Sequence, residues 1–284
     1  MVRIYADSTN DLGPELIARI GVQIIPLYVT IGDTTGRDGV EITPDGIYEW
    51  ANKTKQTPKT AAFPPKDVEP FIKDAKAVGD DIIFIGISEE MSATCNVFRL
   101  AAQQQEYEDH TFVVDSRNLS TGIGLIILEA ARLRDEGKSA AEIAERLKTY
   151  IDRSRASFVI DTLVYLARGG RCSTVTALLA STLKIKPKIV VEKGAMHVAN
   201  KYRGRMDAVY LKYAKDMEPS LLKAEKAHVF ITHSGVPAQD ILAVKSYLES
   251  LHHFDEIHVT RAGSVISSHC GPGTLGVLFI AGKE

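Results

Sequence analysis

The sequence predicts a two-domain α/β protein, with a mainly parallel sheet in an N-terminal α/β domain and a C-terminal domain of mixed α+β type. In the first half, apolar strands alternate with amphipathic helices, which is typical of parallel strands joined by helical crossovers. The 284 residues are 45% hydrophobic and 25% charged, as in soluble globular chains of one or two domains. We place the boundary near residue 155, so that 1–155 form one domain and 156–284 the other.

The first half supplies three apolar strands and two early helices. The strands are predicted over Val2–Ala6, Ile82–Ile87 and Thr111–Val114. One helix should span Pro14–Ile20 and end at Gly21, which suits the left-handed conformation after a helix. Apolar residues at helical spacing predict a second helix; these residues are Val68, Phe71, Ile72, Ala75 and Val78.

A third helix should close the first domain. Ser139 and Glu142 have the spacing of a capping box, and Ile143 and Leu147 follow on one helix face. The segment from Gly32 to Lys66, with repeated Gly, Thr and Pro, is the least regular part of the chain. We expect that segment to cover the junction between the domains.

The second half mixes strand and helix patterns. Its apolar runs are Phe158–Ile160, Lys188–Val191, His228–Thr232, Ile257–Thr260 and Leu275–Ala281. Helical patterns occupy Val175–Leu183 and Gln239–Leu251. The short spacing around Glu192–Ala195 indicates a hairpin, so at least one antiparallel pair is expected here.

Several classes of protein are disfavoured. No apolar stretch approaches the ~18 residues of a membrane span, and the N-terminus lacks a signal-peptide layout, so we expect a cytoplasmic protein without stable membrane insertion. The cysteines, Cys95, Cys172 and Cys270, have neither zinc-knuckle nor disulfide-framework spacing. The glycines at Gly122–Gly124 and Gly169–Gly170 match no nucleotide-binding loop. We therefore expect no metal, no cofactor and no ATP bound by this chain itself.

Positive charge is concentrated in one segment. Arg168 to Arg205 holds nine Lys or Arg and one acid, Glu192, so the segment carries +8 and the remainder −10. Such a block is either a solvated face or a surface for an acidic partner or phosphate ligand, and the sequence leaves both open. Nucleic acid is disfavoured, because Tyr202 is the segment's lone aromatic residue and no nucleic-acid-binding signature is present.

Polar residues follow several predicted strands, where open α/β sheets bind ligands. They are Asp7–Asp11, Ser88, Asp115–Ser116 and His233–Ser234. Helix N-caps explain Ser and Asp at such positions equally well. For Asp7, Asp11 and Asp115 we favour capping.

Two further residues are candidates for holding an anion. His269 lies in a Gly- and Pro-containing turn before an apolar strand, where it could face an anionic head group or be structural. Ser92 follows the strand Ile82–Ile87 and should open the next helix, where an anion is favoured; a plain N-cap serine is the alternative. Nucleophilic catalysis lacks support, because Cys95 and Cys270 have no evident base and the Gly-x-Ser-x-Gly elbow is missing.

Eight motifs, in order along the chain, resemble those of the DegV family. They are Asp7–Leu12, Gly36–Gly39, Pro58–Thr60, Ser92–Thr94, Val114–Ser116, Leu163–Arg171, Lys201–Arg205 and His269–Gly273. The resemblance implies a long-chain fatty acid in a tunnel between two domains, with its carboxyl near the interface. It also implies the role of the fatty-acid-binding subunit of bacterial fatty acid kinase. That subunit presents the carboxyl to a separate ATP-binding kinase subunit and carries the acyl phosphate toward phospholipid synthesis.

The resemblance also assigns residues. Thr60 and Ser92 should hydrogen-bond the carboxylate, and His269 should orient or bridge it. Basic residues should form the docking face for the kinase subunit, with the last two the favoured pair; these are Arg168, Arg171, Arg203 and Arg205. The chain departs from the family pattern in lacking a Ser after Thr60 and in reading Ser-Ala-Thr-Cys from Ser92, so one head-group hydroxyl is missing.

The leading hypothesis is therefore a fatty-acid carrier without a complete active site of its own. The first alternative is a stand-alone small-molecule hydrolase or phosphotransferase that uses His269 with Ser92 or Cys270. The second is a lipid sensor without a metabolic role. The sequence does not choose between the carrier and the sensor.

Overall fold

Three β-sheets organise the chain in a computed structural model that describes residues 1–172, 174–175 and 185–283. The first sheet has four strands, all parallel. In spatial order they are β2 (Gln23–Ile25), β1 (Val2–Asp7), β6 (Asp81–Gly86) and β7 (Thr111–Asp115). This confirms the parallel sheet predicted for the first half.

Helices cover both faces of this sheet. Ile83 and Ile85 of β6 belong to one buried cluster, whereas Ile82 and Phe84 belong to another, as expected for parallel strands buried on both faces. The helices are α1 (Pro14–Ile20), α3 (Pro65–Val78), α4 (Thr94–Gln104), α5 (Thr121–Asp135) and α6 (Ala140–Ile151).

Sequence signals for two helix ends are confirmed. The amide of Glu142 donates to Ser139 Oγ, and the amide of Ser139 donates to the Glu142 carboxylate, which completes the capping box of α6. Gly21 ends α1 in the left-handed conformation, with φ of 61°. The apolar face predicted for α3 does not extend to Val78, because this side chain, in the last turn of the helix, is 63% exposed.

The segment from Gly32 to Lys66 is more regular than predicted. It contributes to a three-stranded antiparallel sheet in the order β4 (Thr34–Arg37), β3 (Tyr28–Ile31) and β5 (Lys59–Ala61), and it contains α2 (Pro44–Thr54). Strands of three or four residues are too short to establish an alternating apolar pattern. The expectation of an irregular segment was therefore wrong.

The second half forms a six-stranded mixed sheet. In spatial order its strands are β10 (Ala195–Arg203), β9 (Ile185–Glu192), β8 (Ser154–Val159), β13 (Thr274–Ala281), β11 (Ala224–Ser234) and β12 (Glu256–Arg261). Neighbours are antiparallel except β11 and β12, which are parallel. The hairpin predicted around Glu192–Ala195 is confirmed, because Lys193 and Gly194 turn at φ of 50° and 86° between β9 and β10.

The described helices of this half are α7 (Val164–Gly169), α8 (Met206–Asp216), α9 (Glu218–Leu221), α10 (Ala238–Ser250) and α11 (Ser264–Cys270). The helix predicted over Gln239–Leu251 corresponds to α10. The helix predicted over Val175–Leu183 lies, beyond its first residue, outside the described residues. The division into 1–155 and 156–284 stays a prediction. Across the described ranges, no helix combines the length and apolarity needed to cross a bilayer.

The β9–β10 turn contacts the loops that follow β6 and β7 of the first sheet, and substitutions of two glycines test that contact. A Cβ on Gly194 would lie 2.7 Å from Ser88 Oγ, whereas a Cβ on Gly137 would meet nothing within 4 Å; both residues have positive φ. Gly137→Ala should lower the free energy of unfolding by about 1 kcal/mol. Gly194→Ala should cost clearly more, because it also displaces Ser88, whose hydroxyl donates to the Gly194 carbonyl. Urea denaturation measures both, and equal losses would contradict the contact.

Candidate functional site

A cavity of about 220 Å³ lies between elements from the two halves of the chain. Thr60 and Ser92 line it from the first half, and His269 lines it from the second. The structure thus brings together the three residues that the sequence marked for the head group, although they span more than 200 positions. Their role in holding a carboxylate stays a prediction.

The rest of the cavity wall is mainly apolar. It includes Leu27, Ile87, Met91, Leu119, Leu166, Met196, Ile266 and Cys270. A second cavity of about 20 Å³ borders the first, since Leu119, Ile266 and Cys270 line both.

Thr60 is positioned by β5, in which it pairs with Val29 of β3. Its hydroxyl oxygen lies 2.8 Å from His269 Nε2, so the two side chains share a hydrogen bond. This bond joins the three-stranded sheet to α11. The polar side of the cavity is therefore built across the two halves.

His269 lies in the last turn of α11, not in an irregular turn as predicted. Its ring packs over Gly169 of α7, where any Cβ would overlap the ring. Its second nitrogen, Nδ1, is buried and has no hydrogen-bond partner among the residues that the structure describes. Burial, reinforced by nearby Arg171, lowers the pKa of His269 to about 4, so the ring is neutral at pH 7.

Ser92 is not the N-cap of the helix that follows it. Helix α4 begins at Thr94, and its N-cap is Ala93, which makes no side-chain capping bond. The Ser92 hydroxyl instead lies 2.6 Å from the Thr94 hydroxyl at the edge of the cavity. The plain N-cap alternative is thereby wrong.

The four arginines of the basic segment separate into two sets. Arg171 lines the cavity and donates to the Gly169 carbonyl over 2.7 Å. The cavity wall does not include Arg168, Arg203 or Arg205. Arg168 donates to the Lys55 carbonyl over 3.2 Å, while Arg203 and Arg205 are exposed where β10 ends. Sequence reasoning grouped Arg171 with the docking face and missed its position beside His269.

Buried carboxylates hold the helix that carries His269. The amide of Gly263, the N-cap of α11, donates to Asp11 over 2.8 Å, and the amide of Ser264 donates to Asp38 over 2.6 Å. Asp11 also accepts from the Ser120 hydroxyl. Asp11 caps a helix as predicted, but that helix is α11, whose N-cap Gly263 lies 252 positions later in the chain. Asp38 was not singled out, although it lies within the motif Gly36–Gly39.

The other two aspartates at strand ends, Asp7 and Asp115, differ in whether they cap a helix. Asp7 caps the short 3-10 turn Ser8–Asn10 by accepting from the Thr9 amide over 3.0 Å, which confirms the capping interpretation. Asp115 accepts from the Arg117 amide in a turn and caps no helix, since Ser120 is the N-cap of α5. Burial raises the pKa of Asp7 to about 6 and that of Asp11 to about 8.

The arrangement is poorly suited to covalent catalysis. His269 bonds to Thr60, and Ser92 bonds to Thr94, so the imidazole is not paired with either proposed nucleophile. Burial raises the pKa of the Cys270 thiol to about 12, which leaves almost no thiolate at neutral pH. The described residues of the site can instead offer hydrogen bonds and the charge of Arg171 to an anion beside apolar walls.

Comparison with known proteins gives a consistent set of likenesses. The model of the family described as "Uncharacterised protein, DegV family" matches residues 1–282. A DegV domain-containing protein of Deinococcus radiodurans is 32% identical over 97% of each chain. A DegV family protein from Thermus thermophilus, whose structure is described for its fatty acid binding, superimposes with a TM-score of 0.90 at 29% identity over 99% of each chain. DegV of Bacillus subtilis, described as a fatty acid binding protein, gives 0.84 at 25% identity over 99% of each chain. The two-domain α/β fold is thereby confirmed.

The buried carboxyl of Asp11 should make stability depend on pH. Because folding raises its pKa from 3.8 to about 8, the folded chain keeps a proton that the unfolded chain has released. The free energy of unfolding should therefore fall as pH rises between these values. In Asp11→Asn, which cannot titrate, that slope should flatten by a few kcal/mol over the window. Urea denaturation from pH 5 to 8 measures it.

Asp33→Asn is the matched control, because Asp33 is exposed in the β3–β4 turn, and it should keep the wild-type slope. An unchanged slope in Asp11→Asn would show that the Asp11 carboxyl is already ionised in the folded chain.

Proposed function

Because this chain belongs to the DegV family, we propose that it binds a long-chain fatty acid in the cavity between its halves and presents the carboxylate to a separate ATP-binding kinase subunit. The observation that carries the proposal is the grouping of Thr60, Ser92, His269 and Arg171 beside otherwise apolar walls. The structure of the Thermus thermophilus relative is described for its fatty acid binding, which supports the proposal.

In this proposal the hydroxyls and Arg171 hold the carboxylate, and His269 acts through Thr60. The proposal places the proton of the neutral imidazole on Nε2, 2.8 Å from Thr60 Oγ1, so that the imidazole donates to Thr60 and the Thr60 hydrogen can point at the carboxylate. Arg171 supplies the compensating charge. Burying a carboxylate without such partners would cost several kcal/mol.

The acyl tail supplies most of the affinity. Burial of each methylene is worth ~0.8 kcal/mol, so a sixteen-carbon tail contributes about 10 kcal/mol before ordering and desolvation costs. The cavity of about 220 Å³ is below the ~300 Å³ at which pockets for drug-sized ligands begin. Joining the smaller cavity of about 20 Å³ would not close this gap, so we expect the apolar wall, including Leu119, Ile266 and Cys270, to move apart when the tail enters.

Presentation to the kinase subunit requires the carboxylate to be reachable by ATP. A carboxylate oxygen then attacks the γ-phosphorus, the bond to the β-phosphate breaks, and ADP leaves with acyl phosphate as product. Arg203 and Arg205 are the proposed docking pair, and Arg168 adds charge beside the cavity. We assign Arg171 to the carboxylate and the developing phosphate rather than to docking.

The site geometry bears differently on the two alternatives, the stand-alone enzyme and the lipid sensor. The stand-alone enzyme needs a nucleophile paired with His269, and the hydrogen bonds of His269 and Ser92 give it none. The lipid sensor shares every binding feature with the carrier. A kinase assay on the lipid-loaded chain separates carrier from sensor.

The freshly purified chain should carry stoichiometric fatty acid, detectable by native mass spectrometry and extraction. After delipidation, Thr60→Val should weaken palmitate binding by about 10- to 100-fold, because a hydrogen bond to a charged group is lost. Isothermal titration calorimetry gives the two affinities.

Thr30→Val is the control, since the Thr30 hydroxyl bonds Thr35 on the same sheet and the residue does not line the cavity. It should bind palmitate like wild type. An empty chain that also refuses palmitate would contradict the proposal, as would equal affinities for Thr60→Val and wild type.

Loss of the proposed docking pair should impair phosphorylation without impairing palmitate binding. Arg203→Ala/Arg205→Ala should lower phosphorylation of bound palmitate by the kinase subunit at least tenfold at low carrier concentration, because electrostatic steering of the two proteins is lost. Palmitate affinity should not change. The double variant Arg146→Ala/Lys148→Ala on α6, which removes the same exposed charge elsewhere, should behave like wild type. Unimpaired phosphorylation of the first double variant would contradict the assigned docking face.

A further inference from the structure

Away from the cavity, two histidines and a glutamate converge on the outer part of the six-stranded sheet. His228 Nδ1 lies 3.2 Å from His258 Nε2. One carboxylate oxygen of Glu256 lies 3.5 Å from His258 Nε2, and the other lies 3.9 Å from His228 Nδ1. Within the described ranges, these three residues form the one group whose potential ligand atoms all lie within 4.8 Å of one another.

Strand register produces this convergence. The parallel strands β11 and β12 pair His228 with Glu256 and Phe230 with His258. Side chains two residues apart share a face of a strand, so all three polar residues lie on one face of neighbouring strands. No sequence signal marks them, because 28 residues separate the first from the second.

We propose that His228, Glu256 and His258 form a zinc-binding site. Zinc takes imidazole nitrogen and carboxylate oxygen at about 2.0–2.2 Å in tetrahedral geometry, which separates neighbouring ligand atoms by about 3.3 Å. The two imidazole nitrogens already have this separation. Glu256 Oε1 lies 3.9 Å from His228 Nδ1, so the carboxylate would have to turn toward the pair to complete the ligand set. Three protein ligands leave a fourth position for water, as in open zinc sites.

The surroundings of the three residues suit an ion that enters from solvent. The His228 and His258 side chains are 23% and 17% exposed, so the nitrogens are reachable without being fully hydrated. The His258 ring stacks on Phe230 with centroids 4.5 Å apart, which fixes its orientation.

Arg19 of α1 provides an outer partner for the carboxylate. Its guanidinium donates to Glu256 Oε2 over 3.2 Å, while the other oxygen, Oε1, is free to turn toward the ion. Hydrogen bonds to a ligating carboxylate fix its orientation. A bound ion would thereby tie edge strand β12 to β11 and, through Arg19, to the first half of the chain.

The rival interpretation is a metal-free pair in which one imidazole donates to the other. It accounts for the 3.2 Å separation but predicts no response to metal. Titration of zinc chloride into the EDTA-treated, untagged chain distinguishes the two. We expect one ion per chain by calorimetry and a rise in melting temperature with zinc concentration.

His258→Ala and Glu256→Gln should each weaken zinc binding at least tenfold; the second variant keeps the side-chain shape, so misfolding cannot account for the loss. Cobalt(II) should give the visible absorption of a four-coordinate site in wild type and lose it in both variants. His197→Ala is the control, because His197 faces Glu192 at 3.4 Å on β10 without a second histidine in the group. It should bind zinc like wild type.

Absence of saturable zinc binding would overturn the proposal and leave the histidine pair. So would one-to-one binding that persists in both His258→Ala and Glu256→Gln, since the ion would then lie elsewhere. Palmitate binding by the same variants should equal that of wild type, so failure here and failure of the proposed carrier function give different results.

Discussion

The first turn of α11 has backbone amides that need partners, and the way they are satisfied determines the site. The amides that open a helix have no acceptor within the helix itself. Here Asp11 and Asp38, both buried and both from the first half, accept from Gly263 and Ser264. The same helix carries His269 at its other end and leads directly into β13 near the centre of the six-stranded sheet. Placement of the imidazole against Thr60 therefore depends on carboxylates that belong to the opposite half of the chain.

In this arrangement, burial disfavours the charged forms of both the capping acids and the imidazole. Burial removes the hydration of Asp7, Asp11 and Asp38 and so raises the pKa of each, and nearby acids add a smaller contribution for Asp7 and Asp11. The imidazole at the far end is neutral for the same reason, since burial opposes its protonation. Among the described residues of the cavity wall, Arg171 is the cation. An anion entering the cavity meets neutral donors and the charge of Arg171, while Asp11 and Asp38 lie at the other end of the helix.

The parts of the fold that could be predicted are those with local signals. Three of the four parallel strands of the first half are marked by apolar residues, whereas the short strand β2 was not predicted. The Ser139–Glu142 capping box is a sequence motif, and Lys193–Gly194 is a turn with positive φ at both residues. Helix α11 was missed because Ser264–Cys270 is rich in serine and β-branched residues, which have low helix propensity. Its helical form comes from tertiary capping. Thr60, Ser92 and His269 could be grouped only through motif order, whereas the inward position of Arg171 and the role of Asp38 depend on contacts that no local pattern records.

The capping of α11 by residues near the N-terminus also fixes an order of events during synthesis. The strands of the first sheet are complete once residue 115 has left the ribosome, yet Asp11 and Asp38 then lack their helix amides. Strand β8 likewise waits for β13, its antiparallel neighbour. Contacts so distant along the chain are slow to form. A nascent chain that stops before residue 264 therefore leaves Asp11 and Asp38 without the amides that they cap, lacks β13 in the centre of the six-stranded sheet and has no imidazole in its cavity. The binding site thus cannot be assembled until nearly all of this sequence has been made.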